Sequence, residues 1–360
     1  MPRAAAAALV LFTILYVLVI ASPPDEFGGG DWRTTNTGSA FDDPSAFLTT
    51  VLDGMTFAGL LFIVASGFSL IFGLMRVVNM AHGSLYLLGG YLAFEIQLGW
   101  FAEETQGLNL SLASPSGSAG EYNLIGWLVP VVLAALVIGV VGVVIQQLFL
   151  RWNQGQDLRQ ALITIAVSVI MADQMLAQFG GIAKDVKTPT SWPESVTVFG
   201  VQYGFFRLVI VTGAALAIGL FLWWLMKRTR FGLIVRAGVD DRAMVSALGI
   251  NIPVVFGAAF FIGALLAGIG GALGGTMLSL QPGEDTSFLL NSLIVVIIGG
   301  MGSLGGAAIG ALLLGLVDAY ADVYFVFGDT DLTNYSILLT FGLLVAVLAV
   351  RPLGLFGRPA

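Results

Sequence analysis

The apolar runs decide what this chain can fold into. Phe47–Leu74, Leu124–Leu150, Gln160–Phe179, Phe205–Met226, Pro253–Leu280 and Ala307–Phe327 are each long enough to cross a hydrocarbon core of about 30 Å as a helix, which takes roughly 20 residues. Shorter or flanked apolar stretches lie between and around them: Ala4–Ala21, Leu85–Leu98, Leu289–Ile298 and Tyr335–Val350. Only 10% of the 360 residues are charged and 57% are hydrophobic, whereas soluble domains carry about 25% charge. A water-soluble chain of this length has no interior large enough for that much apolar surface, so its solvent is lipid. The expected fold is an all-α integral membrane protein with about ten membrane segments, including short or broken helices.

Residues 1–22 read as an N-terminal transmembrane anchor or an uncleaved signal segment. Residues 23–46 form an external acidic loop with Asp25, Glu26, Asp31, Asp42 and Asp43, residues 47–351 a polytopic domain, and residues 352–360 a short tail. The longest basic interruption is the loop 227–252, with Lys227, Arg228, Arg230, Arg236 and Arg242. With the N-terminus inside, these five join Arg3, Arg76, Arg151, Arg159, Arg351 and Arg358 on the inner side, against Arg33, Lys184, Lys187 and Arg207 outside. Basic residues concentrate on the cytoplasmic side of membrane proteins, so both termini are expected in the cytoplasm.

Composition also removes chemistries. The chain has no cysteine and one histidine, His82, which excludes disulfides, thiol nucleophiles and histidine-based metal clusters. The net charge of −7 argues against nucleic acid. No Ser/His/Asp set, paired carboxylates or phosphate-binding loop occurs in a span. The chain reads as a non-enzyme without cofactor or metal, and any ATP is used by another subunit.

Two stretches break the apolar pattern at membrane depth. Asn79–Ser84, with Asn79, His82, Gly83 and Ser84, lies between Phe47–Leu74 and Leu85–Leu98. Non-helical backbone at that depth needs protein partners or a water-lined cavity, and transporters use broken helices to present polar groups to substrates. The alternative is an inner hairpin with His82 at the headgroups. The second break is Gly299–Gly306, with Gly300, Met301, Gly302 and Ser303. Its Gly300-x-Gly302-x-x-Gly305 spacing imitates a dinucleotide fingerprint, but the membrane-length flanks offer no parallel sheet. It reads as a joint between half-helices, because Leu289–Ile298 is only about ten residues long, too short to cross. Both breaks are candidates for the substrate pathway. Gly263, Ala267, Gly271 and Gly275 recur every four residues, a small-residue stripe for close helix packing in lipid, against the pore or a second subunit. Glu95 and Asp173 are the acids nearest the middle of spans, and intramembrane acids are functional candidates. With His82 they make an ion-coupled secondary transporter or channel the competing reading.

Within the basic loop, Asp240 and Asp241 suit a helix N-terminus. Arg242–Leu248 favours helix, with Ala243, Ala247 and Leu248 as a small apolar face, and Gly249 suits a C-terminal stop. The loop is expected to hold a short amphipathic helix on the cytoplasmic side.

Here the residues resemble a family. D-D-R-A-x-x-x-A-L-G-I-N is similar to the coupling loop of ABC importer permeases. Gly67–Ala93, Leu162–Gln174, Arg228–Asn251 and Val295–Gly315 together resemble the LivH/LivM-type permeases of branched-chain amino-acid importers, with Asn-Met-Ala-His-Gly closer to LivH. The chain departs from that pattern in its longer N-terminal segment. The resemblance implies an inner-membrane permease that pairs with a LivM-like second permease subunit or a second copy. It also implies two cytoplasmic ABC ATPases, docked on Arg236, Asp240, Asp241, Ala243, Ala247, Leu248 and Gly249, and an external substrate-binding protein. The implied cargo is a branched-chain or related neutral amino acid, with urea, short amides or aromatic acids as alternatives within the family.

Overall fold

The apolar run Phe47–Leu74 becomes the longest helix. A computed structural model of the chain describes residues 44–75, 78–101, 123–153, 155–240, 242–324, 326–327, 330–331 and 335–357. The expected anchor 1–22, most of the acidic loop 23–46, and Asp241 lie outside the described residues. In chain order the helices are α1 (Pro44–Met75), α2 (His82–Phe101), α3 (Leu124–Ile145), α4 (Asp157–Phe179), α5 (Thr212–Arg228), α6 (Arg230–Asp240), α7 (Arg242–Ala247), α8 (Ile252–Met277), α9 (Glu284–Gly299), α10 (Leu304–Tyr324) and α11 (Ser336–Val350). A π-turn, Gln146–Leu150, extends α3, and another, Phe206–Val211, leads into α5.

Six of these units are long and apolar enough to span a membrane: α1, α3 with its extension, α4, α5 with its π-turn, α8 and α10. The remaining segments differ from full crossings for local reasons. Helix α9 has 16 residues and α11 has 15, or about 24 and 22 Å at 1.5 Å per residue. Helix α2 starts inside the bundle, as described below.

Helix α8 sits at the centre, against α1, α2 and α3. Its approach to α1 and α2 is set by missing side chains. A Cβ on Gly67 of α1 would lie 2.5 Å from the Gly263 carbonyl oxygen, and one on Gly89 of α2 would lie 2.5 Å from Gly268 Cα. At Gly271 it would overlap the Tyr86 carbonyl. The predicted stripe Gly263, Ala267, Gly271 and Gly275 is therefore spent inside this chain: Gly263 faces Ile71 and Gly67, Gly271 faces Tyr86 and Gly90, Gly275 meets Leu280, and Ala267 is fully buried. Without a hydrophobic drive between helices in lipid, such contact supplies the van der Waals attraction. Helix α1 is enclosed likewise, with 78% of its most apolar stretch buried, against 17% for α4 and for α5.

Opposite the basic end of the bundle, which carries Arg151, Arg159, Lys227, Arg228 and Arg351, the polar stretch 180–204 is more ordered than its composition suggests. It holds an antiparallel hairpin, β1 (Ser195–Val198) and β2 (Val201–Gly204), turned at Phe199-Gly200 with φ of 47° and 87°. Two positive φ values match the twist of a tight two-residue hairpin. Lys184 exchanges two backbone hydrogen bonds with Leu280 (2.9 and 2.7 Å), and the Gln97 amide clamps both backbone groups of Lys187. A second small hairpin, β3 (Val326–Phe327) with β4 (Thr330–Asp331), lies between α10 and α11.

The first hairpin is tied to α1 through Tyr203. Its hydroxyl donates to Asp53 Oδ1 at 2.7 Å and lies 3.0 Å from Thr56 Oγ1, while Arg207 Nη1 donates to the same carboxylate at 3.1 Å. Burial, with help from the Asp53 charge, pushes the phenol up to about 12 from its ordinary 10.0. A raised phenol contributes stability below pH 10 that is lost between pH 10 and 12, because the unfolded chain gives up its proton first. Tyr203→Phe is expected to lower stability by about 1 kcal/mol near neutrality and to weaken the alkaline loss in that window, as read from denaturation midpoints against pH. An unchanged alkaline limb would contradict the assignment.

Candidate functional site

The polar break after α1 folds back into the bundle. Chain leaving α1 at Met75 re-enters helix at His82, whose Nε2 lies 3.0 Å from the Val64 carbonyl oxygen. Val64 is eleven residues before the end of α1, so α2 begins roughly 16 Å short of that end. The return is held by local polar bonds. Asn79 Oδ1 accepts from the Ala81 amide at 3.2 Å, the His82 amide donates to the Asn79 carbonyl, and the Met80 amide donates to Thr164 Oγ1 on α4 at 3.2 Å. Short Asx turns of this kind replace the helix ladder that the backbone has left. The His82 ring is fully buried and packs edge-on against Phe68 at 5.3 Å. The burial of His82 and its level on α1 favour the internal break over a hairpin at the headgroups.

The N-terminus of α9 meets this break. Glu284 and Asp285 open α9 after Gly283, at φ 100°. The stretch Gln281–Ser287 reads from composition as a short acidic turn, but the structure gives most of it to the helix and buries Asp285. Acids in a first turn are favoured by the helix dipole, the signal that places the start of α9 at Glu284 rather than Leu289. Ser84 Oγ lies 3.3 Å from Asp285 Oδ2 and 2.8 Å from Ser168 Oγ, so it donates to the carboxylate while accepting from Ser168. Gly83 lets the helices cross: a Cβ there would overlap the Asp285 carbonyl and lie 2.8 Å from Leu289. Tyr86 stacks on Phe288 at 3.9 Å just beyond.

Asn79, His82, Gly83 and Ser84 are thus gathered with Thr164, Ser168 and Asp285, three residues that sequence reasoning missed. Thr164 and Ser168 lie in an apolar run, four residues apart and so on one helix face. Asn79 Nδ2 and His82 Nδ1 are buried without a hydrogen-bond partner among the described residues.

The structure does not bring Gly300, Met301, Gly302 and Ser303 to this junction. They lie at the other end of α9, roughly 21 Å along its axis from Asp285, where Gly302 approaches Gly73 near the end of α1. Leu293–Ile298, which leads into this turn, is helical. Gly300 and Gly302 take φ of 99° and 78°, which the missing Cβ permits. Ser303 Oγ accepts from the Gly306 amide at 3.1 Å, Met301 is exposed, and the turn is roofed by residues 351–357: the Leu355 and Phe356 amides donate to the Ile298 and Gly299 carbonyls at 2.8 and 3.0 Å. Among the described residues no group of three His, Asp or Glu stands close enough to hold a metal ion.

The basic loop is helical on both sides of Asp241, which lies outside the described residues: α6 runs to Asp240, and α7 contains Arg242, Ala243 and Ala247. The Arg236 guanidinium donates to the Met226 carbonyl at 2.6 Å, tying α6 to the end of α5. The Leu248 amide donates to Met244, and Gly249 follows at φ 81°. Val245 is buried, while Met244, Ala247 and Leu248 are exposed. Of the mid-span acids, Glu95 forms an exposed 3.9 Å pair with Lys184, which contributes little. Asp173 is exposed on α4.

Residues 50–348 match the family model described as branched-chain amino acid transport system / permease component. The chain belongs to that family. It is 29% identical over 329 residues to the high-affinity branched-chain amino acid transport system permease protein BraD of Pseudomonas aeruginosa, covering 87% of this chain and 96% of the relative. It is 28% identical over 323 residues to LivH of Escherichia coli, with the same coverage, and 22% identical over 317 residues to a probable LivH of Methanocaldococcus jannaschii, covering 85% and 92%. No solved structure matches the chain. Family membership and the six apolar spans make it a multi-pass inner-membrane transport protein, in a family of permease components rather than enzymes.

Proposed function

We propose that this permease is the membrane-spanning subunit of an ATP-driven importer that carries branched-chain or related neutral amino acids into the cytoplasm, with ATP hydrolysed by separate subunits. The observation that carries the reading is the family match across residues 50–348. The basic end faces the cytoplasm, as its arginines and lysines favour. There α6 and α7, with Arg236, Asp240, Asp241, Ala243, Ala247, Leu248 and Gly249, form the dock for one of two ABC ATPases. Exposed Met244 on α7 and exposed Leu248 just after it suit the apolar groove of a partner. The opposite end, with its hairpin, receives an external binding protein, and a second permease subunit completes the pore. The crossing of α2 and α9 belongs to the fixed frame, with the turn 300–303 a clamped hinge at the other end of α9.

Uptake of labelled leucine into proteoliposomes holding the permeases, ATPases and binding protein tests this. Uptake is expected to require internal ATP and the external protein, and accumulation driven by a proton or sodium gradient without ATP would overturn it. Gly249→Asp puts a side chain at a positive φ and a charge beside the dock. It should leave the protein in the membrane but abolish co-purification of the ATPases; ATPases recovered in full would sink the docking assignment.

A further inference from the structure

Helix α4 presents two different faces. Gln160, Thr164, Ser168, Met171, Met175 and Phe179 turn toward the chain's own bundle. At 100° per residue, Asp173 points almost directly away from them, and it is exposed. It lies six residues in from the end of α4, about 9 Å, within the length that must cross the hydrocarbon. No described side chain pairs with it. An ionised carboxylate in that position is expensive against lipid and is found facing a bundle interior or a water-filled cavity.

The free face of α5 is different. On α5 the exposed side chains are Leu216, Leu220, Phe221, Trp223 and Trp224, an apolar and aromatic surface suited to lipid. On α4 the exposed apolar residues, among them Leu162, Ile165, Val169, Ile170 and Leu176, are accompanied by Asp173 and Gln174, with Ala166 and Ala177 leaving space beside the acid.

We infer that the α4 face centred on Asp173 lines the aqueous route of the cargo, and that its carboxylate meets the ammonium group of a zwitterionic amino acid in transit. The second part rests on the importer reading; the first does not. A wet route explains both features of this face: it hydrates the carboxylate that lipid would penalise, and the two alanines keep it wide. The negative charge suits the positive end of the cargo, whereas the side chain of a neutral amino acid asks only for an apolar wall, which Val169 and Ile170 supply.

The absence of native cysteine allows a direct test in the full complex. Asp173→Cys and, as a lipid-facing reference, Leu220→Cys are introduced singly, and membrane vesicles are treated with a membrane-impermeant sulfonated methanethiosulfonate. Only a hydrated thiol ionises and reacts, so Asp173→Cys should be modified about 100-fold faster than Leu220→Cys. Equal, slow modification at both positions would overturn the route, whether the face is covered by lipid or by a dry subunit seam. In the transport assay with leucine, Asp173→Asn should lower the maximal rate about tenfold without changing half-saturation, which the external protein sets, and Asp173→Glu should restore most of it. An unchanged rate in Asp173→Asn would remove the carboxylate from the mechanism. If the unaltered complex carries no leucine, the importer reading fails while the labelling contrast still decides the route.

Discussion

Gly83→Ala is expected to abolish transport and to lower the thermal midpoint of the purified protein by several degrees. The added methyl would overlap the Asp285 carbonyl and press on Leu289. One partner is backbone in the first turn of a helix and cannot rotate aside, so the crossing itself must open. Overpacking of a close-packed site costs about 1–3 kcal/mol, and a rigid partner places this case at the upper end. Opening the crossing also separates Ser84 from Asp285, leaving a buried carboxylate short of its donor, a further penalty of roughly 1–3 kcal/mol. Gly213→Ala is the control. Nothing lies within 4 Å of a Cβ at that position, and alanine improves an exposed helical site by up to about 1 kcal/mol. The pair is compared by thermal midpoint in detergent and by uptake. Equal midpoints would mean that α2 and α9 are not held as described.

Ending the chain after Arg351 should be nearly as damaging, although it removes no spanning residue. The Leu355 and Phe356 amides satisfy the last carbonyls of α9, at Ile298 and Gly299, both buried. A helix end normally finds such partners in caps or water; here they come from the far end of the sequence. Losing both leaves two unpaired acceptors, about 1–3 kcal/mol each, and removes Gly354 and Gly357, which pack against Gly300. Amide exchange across α9 and α10 is expected to accelerate, with loss of ATP-driven uptake. Unaltered exchange there would show that the tail is not a clamp.

The sequence made most of the helices legible because apolar length is a one-dimensional quantity. Phe47–Leu74 and Pro253–Leu280 correspond within three residues to helices ending at Met75 and Met277. What it hid depends on contacts between distant segments. Asp285 looked like part of an external turn because acids mark loops in a membrane sequence; only the approach of Gly83 explains why the acid is buried. The hairpin Ser195–Gly204 was missed because it lies in a stretch judged polar by composition, although Val-Thr-Val and Val-Gln-Tyr alternate as strands do. The small-residue stripe on α8 reads as a packing surface, but its partners, α1 and α2 of the same chain, are not in the pattern. The Gly300–Ser303 turn looked like half of a pathway because glycine marks both a ligand approach and a backbone crossing. Its neighbours turn out to be Gly73, Gly354 and Gly357.

The glycine-to-backbone contacts of α8 also bear on how the molecule can move. Helices that touch through carbonyls and Cα atoms have no side-chain layer between them to deform, so α1, α2 and α8 form a stator. Helices α4 and α5, which bury little of themselves against this chain, are free to tilt as a rotor about it. A small stroke delivered through α6, which Arg236 ties to α5, would swing the rim and leave the frame still. Strengthening the grip of α4 or α5 on the frame should therefore slow turnover even as it makes the protein harder to melt.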